Sequence, residues 1–385
     1  MSPGAAPTKV LYQSIVSGAP APTDLCTFSF SSVAIPGPYP ATVPAPTGPC
    51  GSQRPGFNSA PAIGPGGTIF VVSRAHHSLP PQAGESLKGR SANDSSIVAL
   101  NSDLTPKWTF TMREILDDGC GVLAACRQGA PTGVDPSTGL KPSVWVWDQA
   151  SSVPVALPDG AVIYGGLTSY NGSRGHLMKV GPDGGLMGTY DFGWDVTPAV
   201  WVRDGRSGYL LVGGLLDNVI YKIAADKTVS VFMEKAGYTG TDVDHVGAQT
   251  RSGRSHVLLI GPSCASLDSQ GRLIWCADND RTVMRLEKDG AHTVLSAGAP
   301  DGKRFSGPND VAVTRDDAVY LTDNDFGLRD AGRSPDKQMP NGIWRIKDGK
   351  STLVLDAATL GGIPNGIALS PDEHWLYATA LAHAG

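Results

Sequence analysis

From residue 58 onward one order recurs along the chain: a short apolar strand, a turn rich in Pro, Asp and Gly, and a second apolar strand. That is the signature of a β-hairpin. Copies occupy 59–73, 152–166, 197–214, 263–278, 308–323 and 364–379, so the pattern predicts six hairpins. Most are followed by a further strand pair, as in Val219-Ile-Tyr-Lys-Ile with Val229-Ser-Val-Phe, or Gly342-Ile-Trp-Arg-Ile with Ser351-Thr-Leu-Val-Leu. Four strands per unit is the make-up of a propeller blade. The equivalent positions Ile63, Leu157, Val202, Leu267, Val313 and Leu369 are 94, 45, 65, 46 and 56 residues apart, against the roughly 40–50 that one blade requires. Loop insertions near 74–95 and 113–142 account for the long first interval, with room for a short helix near Met112-Arg-Glu-Ile-Leu116.

The first 55 residues hold 11 of the 30 prolines and read as extended and loop-like. Two strand-like runs survive there, Val10-Leu-Tyr-Gln-Ser-Ile-Val16 and Thr27-Phe-Ser-Phe-Ser-Ser-Val33, the second alternating with period 2. The sixth hairpin ends at Ala380 with only five residues following, so the N-terminal runs are expected to supply its outer strands. The expectation is an all-β, six-bladed β-propeller closed by N-terminal strands pairing with the C-terminal hairpin, which leaves no exposed edge. It forms one domain over residues 8–385 behind a disordered stretch at 1–7. Two separate smaller sandwiches, or a chain truncated at its C-terminus, are the alternatives.

Composition narrows the partners. Lys+Arg number 31 and Asp+Glu 36, a formal net charge of −5, which argues against nucleic acid. Charged residues make up 17%, against roughly 25% in average soluble domains, and long surface helices are not expected. No run of about 18 apolar residues occurs, so no membrane partner is expected. The first nine residues lack the basic and apolar regions of a leader peptide. Six cysteines fall as three local pairs, Cys26/Cys50, Cys120/Cys126 and Cys264/Cys276, with no C-x-x-C spacing. That pattern favours disulfides over a zinc knuckle. The turn Asp268–Gly271 centres its hairpin near position 270 and sets Cys264 opposite Cys276. With sequons at Asn93 and Asn171, a secreted or periplasmic protein is expected, with a cytoplasmic one as the alternative.

In each hairpin the residues before the first strand and after the second share one end of the blade. Asn309 thus shares a face with Asp323, Asn365 with the Leu381–His383 segment, Ser263 with Asp278, and Ser59 with Arg74–His77. Such groups converge on the channel, where oxygen ligands from several blades can meet a hard cation. Asn309 and Asn365 read either as ligands for a metal or substrate, or as side-chain caps of turns. Asp310, Asp323 and Asp278 read as proton-transfer groups or as ties for the next loop. His76, with His77, reads as a general base for an attacking water or as an exposed loop residue. Asp242-Val-Asp244-His245 reads as a source of anionic ligands or as a solvated loop. Gly261-Pro-Ser263-Cys does not meet G-x-S-x-G, and there is neither a P-loop nor H-E-x-x-H.

Three stretches carry a resemblance: Gly302-Lys-Arg-Phe-Ser-Gly-Pro-Asn-Asp-Val311 with Val319-Tyr-Leu-Thr-Asp323, Pro364-Asn-Gly-Ile-Ala-Leu-Ser-Pro-Asp372 with Trp375-Leu-Tyr-Ala-Thr379, and Gly271-Arg-Leu-Ile-Trp-Cys-Ala-Asp-Asn-Asp-Arg-Thr-Val-Met-Arg285. They resemble the gluconolactonase, regucalcin and luciferin-regenerating-enzyme family over 255–380, and more loosely over 197–235. Residues 59–72 and 97–110 resemble instead a quinoprotein-type propeller repeat. The family resemblance implies a six-bladed calcium or zinc propeller that commonly hydrolyses lactones, its metal held by a Glu, two Asn and an Asp. The two Asn correspond to Asn309 and Asn365. The Glu position is taken by Thr197 in Thr197-Pro-Ala-Val-Trp201, and the Asp position falls at Asn58-Ser59.

Taken together, these readings predict a hydrolase of the gluconolactonase-like class that opens a lactone or related ester with water. Asp323 and His76 are the catalytic candidates. Asn309, Asn365 and Asp278 are the substrate-binding candidates, and Asn309 and Asn365 the ligands of a divalent metal, calcium foremost. The partner is a small-molecule substrate. A quinone-dependent dehydrogenase and a non-catalytic ligand-binding propeller are the competing readings.

Overall fold

The computed structural model describes the chain apart from residues 1–9, 20, 27–47, 50, 57–58, 77–94, 113–145, 147–151, 167–174, 191, 195, 204–205, 216, 242–247, 252–254, 259, 326, 329–334 and 382–385. Five sheets of four or more strands follow one another. The first joins Ser52–Pro55, Ile69–His76, Ser96–Leu100 and Pro106–Thr111, with Ala62–Ile63 also paired to Ile69–His76. The second joins Val155–Ala156, Val162–Gly166, His176–Val180 and Leu186–Tyr190. The third runs Ala199–Arg203, Arg206–Gly214, Val219–Ala224 and Val229–Glu234. The fourth runs Ala265–Leu267, Leu273–Ala277, Thr282–Leu286 and His292–Ser296. The fifth runs Pro308–Val313, Val319–Asp323, Gly342–Lys347 and Lys350–Asp356. In each, successive strands pair antiparallel, as propeller blades do.

Among the described residues the all-β propeller therefore has five blades, which corrects the expected six. The sixth hairpin is present, Ile363–Leu369 with Leu376–Leu381, but as a two-stranded sheet. The N-terminal run that was to extend it does something else. Tyr12–Ile15 forms one helical turn, and Ile15 and Val16 pack on Val98 and Leu100 of the first blade. Ser52–Pro55 likewise joins the first blade, not the last hairpin. Burial of Ile15 and Val16 decides their conformation over their strand-like pattern, the usual outcome when tertiary packing competes with local propensity. The run Thr27–Val33 and the insertions lie wholly or largely outside the described residues.

The turns explain why the hairpins were readable. Asp159, Asp183 and Asp289 each accept, through Oδ1, the amide two residues on, and the following Gly160, Gly184 and Gly290 take φ of 81°, 87° and 87°. An Asp that closes its own turn and a residue without Cβ at positive φ are what such turns require. Between blades, alternate side chains of one strand serve two layers. Leu210 and Val212 pack toward the second blade, whereas Leu211 packs toward the fourth. Both faces of such a strand are buried, which is why Leu273-Ile-Trp-Cys-Ala277 is apolar throughout. Cys264 and Cys276 stand opposite across the first two strands of the fourth blade, joined by a disulfide with Cα atoms 5.2 Å apart.

Candidate functional site

The innermost strands of the later blades lie side by side and are tied by polar groups at their starts. The Thr197 amide donates to Ser263 O at 3.0 Å, and the Ala265 amide donates back to Thr197 O at 3.1 Å. Ser263 Oγ donates to the Asn309 carbonyl at 2.5 Å and stands 2.9 Å from Oδ1 of Asp278. Thr322 Oγ1 donates to the Asn365 carbonyl at 2.5 Å. Asp310 Oδ2 accepts from the Ile367 amide at 2.9 Å, joining the fifth blade to the last hairpin. The Thr197 position, where the resembled family carries Glu, is thus part of the backbone lacing.

Both candidate asparagines sit in β-bulges. The register of Pro308–Val313 against Val319–Asp323 slips between Pro308 and Asp310, and that of Ile363–Leu369 against Leu376–Leu381 between Pro364 and Ile367. Each Asn follows a proline, which has no amide hydrogen to give the ladder. The pairing skips a residue there, and bulges of this kind re-aim the side chain they carry. Asn309 is 5% exposed and Asn365 fully buried. Among the described residues, neither Oδ1 nor Nδ2 of Asn365 has a hydrogen-bond partner. A buried amide left unpaired costs about 1–3 kcal/mol per group, and native proteins keep such groups where a ligand, water or ion answers them.

Two carboxylates flank this seam. Burial pushes Asp310 up to about 7, against the pull of the Ile367 and Val311 amides. Burial also pushes Asp323 up to about 7, while the Gly307 and Ser306 amides and Arg281 pull down and Asp325 adds to the rise. The Asp323 oxygens accept from Ser306 N at 2.9 and 3.1 Å and from Gly307 N at 2.9 Å, so this side chain holds the loop before Asn309. Asp278 is 8% exposed and meets Ser263. His76 ends the second strand of the first blade opposite Ser52. The structure thus gathers Asn309, Asn365, Asp310, Asp323 and Asp278 on the last two blades and the last hairpin, with His76 in the first blade. His77, Asn58 and the Asp242–His245 stretch lie outside the described residues. Ser263 and Thr322, the hydroxyls that bind the two Asn carbonyls, carry no sequence signature beyond their place at a strand end.

As a cation site this set is short of charge. Hard divalent ions are held chiefly through anionic oxygens. Among the described residues no group of three or more His, Cys, Asp and Glu is placed to hold a metal. Asn309 and Asn365 offer neutral oxygens only, and burial raises both Asp310 and Asp323 to about 7, so neither is a strong anionic donor at neutral pH. These residues by themselves do not fit a divalent ion.

The class defined by fold and seam is an all-β propeller with a laced polar site on the inner strands of its C-terminal part. Residues 217–382, from the outer half of the third blade through the last hairpin, match the SMP-30/Gluconolactonase/LRE-like region. The chain is 33% identical over 193 residues to the gluconolactonase of Zymomonas mobilis, covering 49% of each protein. It therefore spans about half the length of that curated relative. Among solved structures, a gluconolactonase from Xanthomonas campestris is 25% identical with a TM-score of 0.37, covering 49% of this chain and 55% of that one. A luciferin-regenerating enzyme is 11% identical with a TM-score of 0.41, covering 79% and 95%.

Proposed function

We propose that this protein is a hydrolase of the gluconolactonase class that opens a lactone or related cyclic ester with water. The observation that carries the reading is the Asn365 amide, buried with both its donor and its acceptor unanswered, within the stretch that matches the gluconolactonase region. In this mechanism Asn365 Nδ2 donates to the lactone carbonyl oxygen as charge develops on it, and Oδ1 accepts from the attacking water. A donor aimed at such an oxyanion contributes about 10²–10³-fold in rate. The water oxygen bonds to the carbonyl carbon as one of its protons is taken, the ring C–O bond breaks with that proton returned to the leaving ring oxygen, and the new carboxyl ionises, so a hydroxy carboxylate leaves with one proton released to solvent. Asp310 is our choice for the group that takes the water's proton. Its Oδ2 meets the amide two residues beyond Asn365, and a carboxyl at about 7 suits proton transfer near neutrality. Asp323 acts as a positioning residue for the loop before Asn309. The paired Cys264 and Cys276 support work in an oxidising, secreted or periplasmic setting.

The test is proton release on a panel of γ- and δ-lactones, glucono-δ-lactone included, by wild type, Asn309→Ala and Asn365→Ala. Hydrolysis well above the spontaneous rate, lost about 100-fold in Asn365→Ala with the melting temperature retained, is the expected result. Turnover that is absent from the whole panel, or unchanged in both variants, would overturn the reading.

A further inference from the structure

Between the first blade and the last hairpin lies a cavity of about 290 Å3. Three parts of the chain wall it: the helical turn through Tyr12 and Ile15, the first blade through Ile69 and Val71, and the last hairpin through Leu369 and Tyr377. Among the described residues no charged side chain lines it, and its two phenols are the only polar side-chain groups on the walls. At roughly 30 Å3 of liquid volume per water-sized group, it has room for about ten heavy atoms. An apolar void offers water too few partners, while an apolar guest recovers the dispersion contacts that an empty wall forgoes.

Polar groups nearby set the chemistry of the guest. The Tyr12 hydroxyl makes no hydrogen bond within the described protein, and burial pushes this phenol up to about 12, so it remains a neutral donor throughout the working pH range. An ionised guest would lose its hydration and find no counter-charge here. A neutral guest with one oxygen loses little.

We propose that this cavity is a binding site, separate from the laced seam, for a small neutral and largely apolar molecule of about ten heavy atoms whose single hydroxyl or carbonyl pairs with Tyr12. Its walls come from the first and last elements of the fold, so the guest joins them and stabilises the native state by mass action.

The probe is 1-naphthol, titrated by fluorescence and by thermal shift against the full chain. One saturable site in the micromolar range and a rise in melting temperature are expected, with 1-naphthyl phosphate at least tenfold weaker. Ile69→Phe fills the cavity and should abolish binding while keeping a cooperative melt. Tyr12→Phe should weaken 1-naphthol about fivefold to tenfold and leave naphthalene unchanged. A probe that fails to saturate up to its solubility limit, or binds Ile69→Phe as it binds wild type, overturns the proposal. Should Ile69→Phe not fold, crystals soaked with 4-bromo-1-naphthol decide: an anomalous peak between Tyr12 and Leu369 supports the site, and peaks elsewhere or none overturn it.

Discussion

At the seam between the first two blades and at the seams of the last two, the same backbone tie holds different side chains. Ser59 Oγ donates to the Ser152 carbonyl where the second blade begins, as Ser263 does to Asn309 and Thr322 to Asn365. The carbonyl serves the fold in all three places. Only the later two add an amide side chain in a proline-led bulge. The charge differs as well. Among the described residues, the buried polar groups of the first two blades are Gln53, Ser73, Arg74, Ser95, Ser96, Ser152 and His176, with no carboxylate, whereas the later part buries Asp268, Asp278, Asp310, Asp323 and Asp325. The lesson is that structural and chemical duties of a blade-opening residue are separable: the tie needs only a carbonyl, so the side chain above it is available.

The largest effect that would sharpen this contrast concerns pH. The Asp310 carboxyl rises from 3.8 to about 7 on folding, worth about 4 kcal/mol at ~1.36 kcal/mol per unit. Between those values the native state holds a proton that the unfolded chain has lost, so stability falls as pH rises and levels off above about 7. Asp310→Asn, which resembles the protonated acid, should flatten that part of the curve in urea unfolding at pH 4.5, 5.5, 6.5 and 7.5. An unchanged slope would refute the buried-acid account of this seam.

Next in size is Asn365→Ser, which gives the last hairpin the residue that opens the second blade. The carbonyl tie remains, so the melting temperature should move little, while lactone turnover should drop about 100-fold, or roughly 2.7 kcal/mol in the barrier. Retained turnover would mean that the amide is as structural as Ser152. Ser263→Ala removes the hydroxyl between Asn309 O and Asp278, and should cost about 2 kcal/mol in stability together with a fall in kcat, because the bulge carrying Asn309 loses its tie. Its counterpart Ser59→Ala is expected to be milder, about 1 kcal/mol by thermal unfolding, with kinetics unchanged. Equal kinetic damage from both would erase the distinction between the two ends of the molecule.

Much of this was legible in the sequence because its signals are local. Turns rich in Pro, Asp and Gly between apolar runs located all six hairpins, and the centre of one turn set Cys264 against Cys276. The bulges at Asn309 and Asn365 were not read from the pattern and came from the register of the strand pairs. The blade count was not legible. Val10–Val16 reads as a strand by pattern, yet the apolar face of Val98 and Leu100 takes Ile15 and Val16 from a helical turn, a long-range choice that no local period encodes. The Asp323 role was ambiguous for a related reason. A carboxylate after a strand looks alike whether it meets a substrate or, as here, three contacts from backbone amides. Ser263 was placed on the channel face with Asp278, and the structure pairs the two, whereas Thr322 was silent because one hydroxyl among many gains meaning only from the carbonyl it reaches.

The bulge at Asn365 has a further consequence for how such a protein changes over generations. Because the neighbouring hydroxyl grips the main chain there, a side chain of similar volume keeps the grip, and under the proposed function such a change alters turnover before it alters whether the molecule folds. Most core positions offer mutation only a loss of packing. This one is a point at which selection can explore new chemistry while the scaffold stays intact.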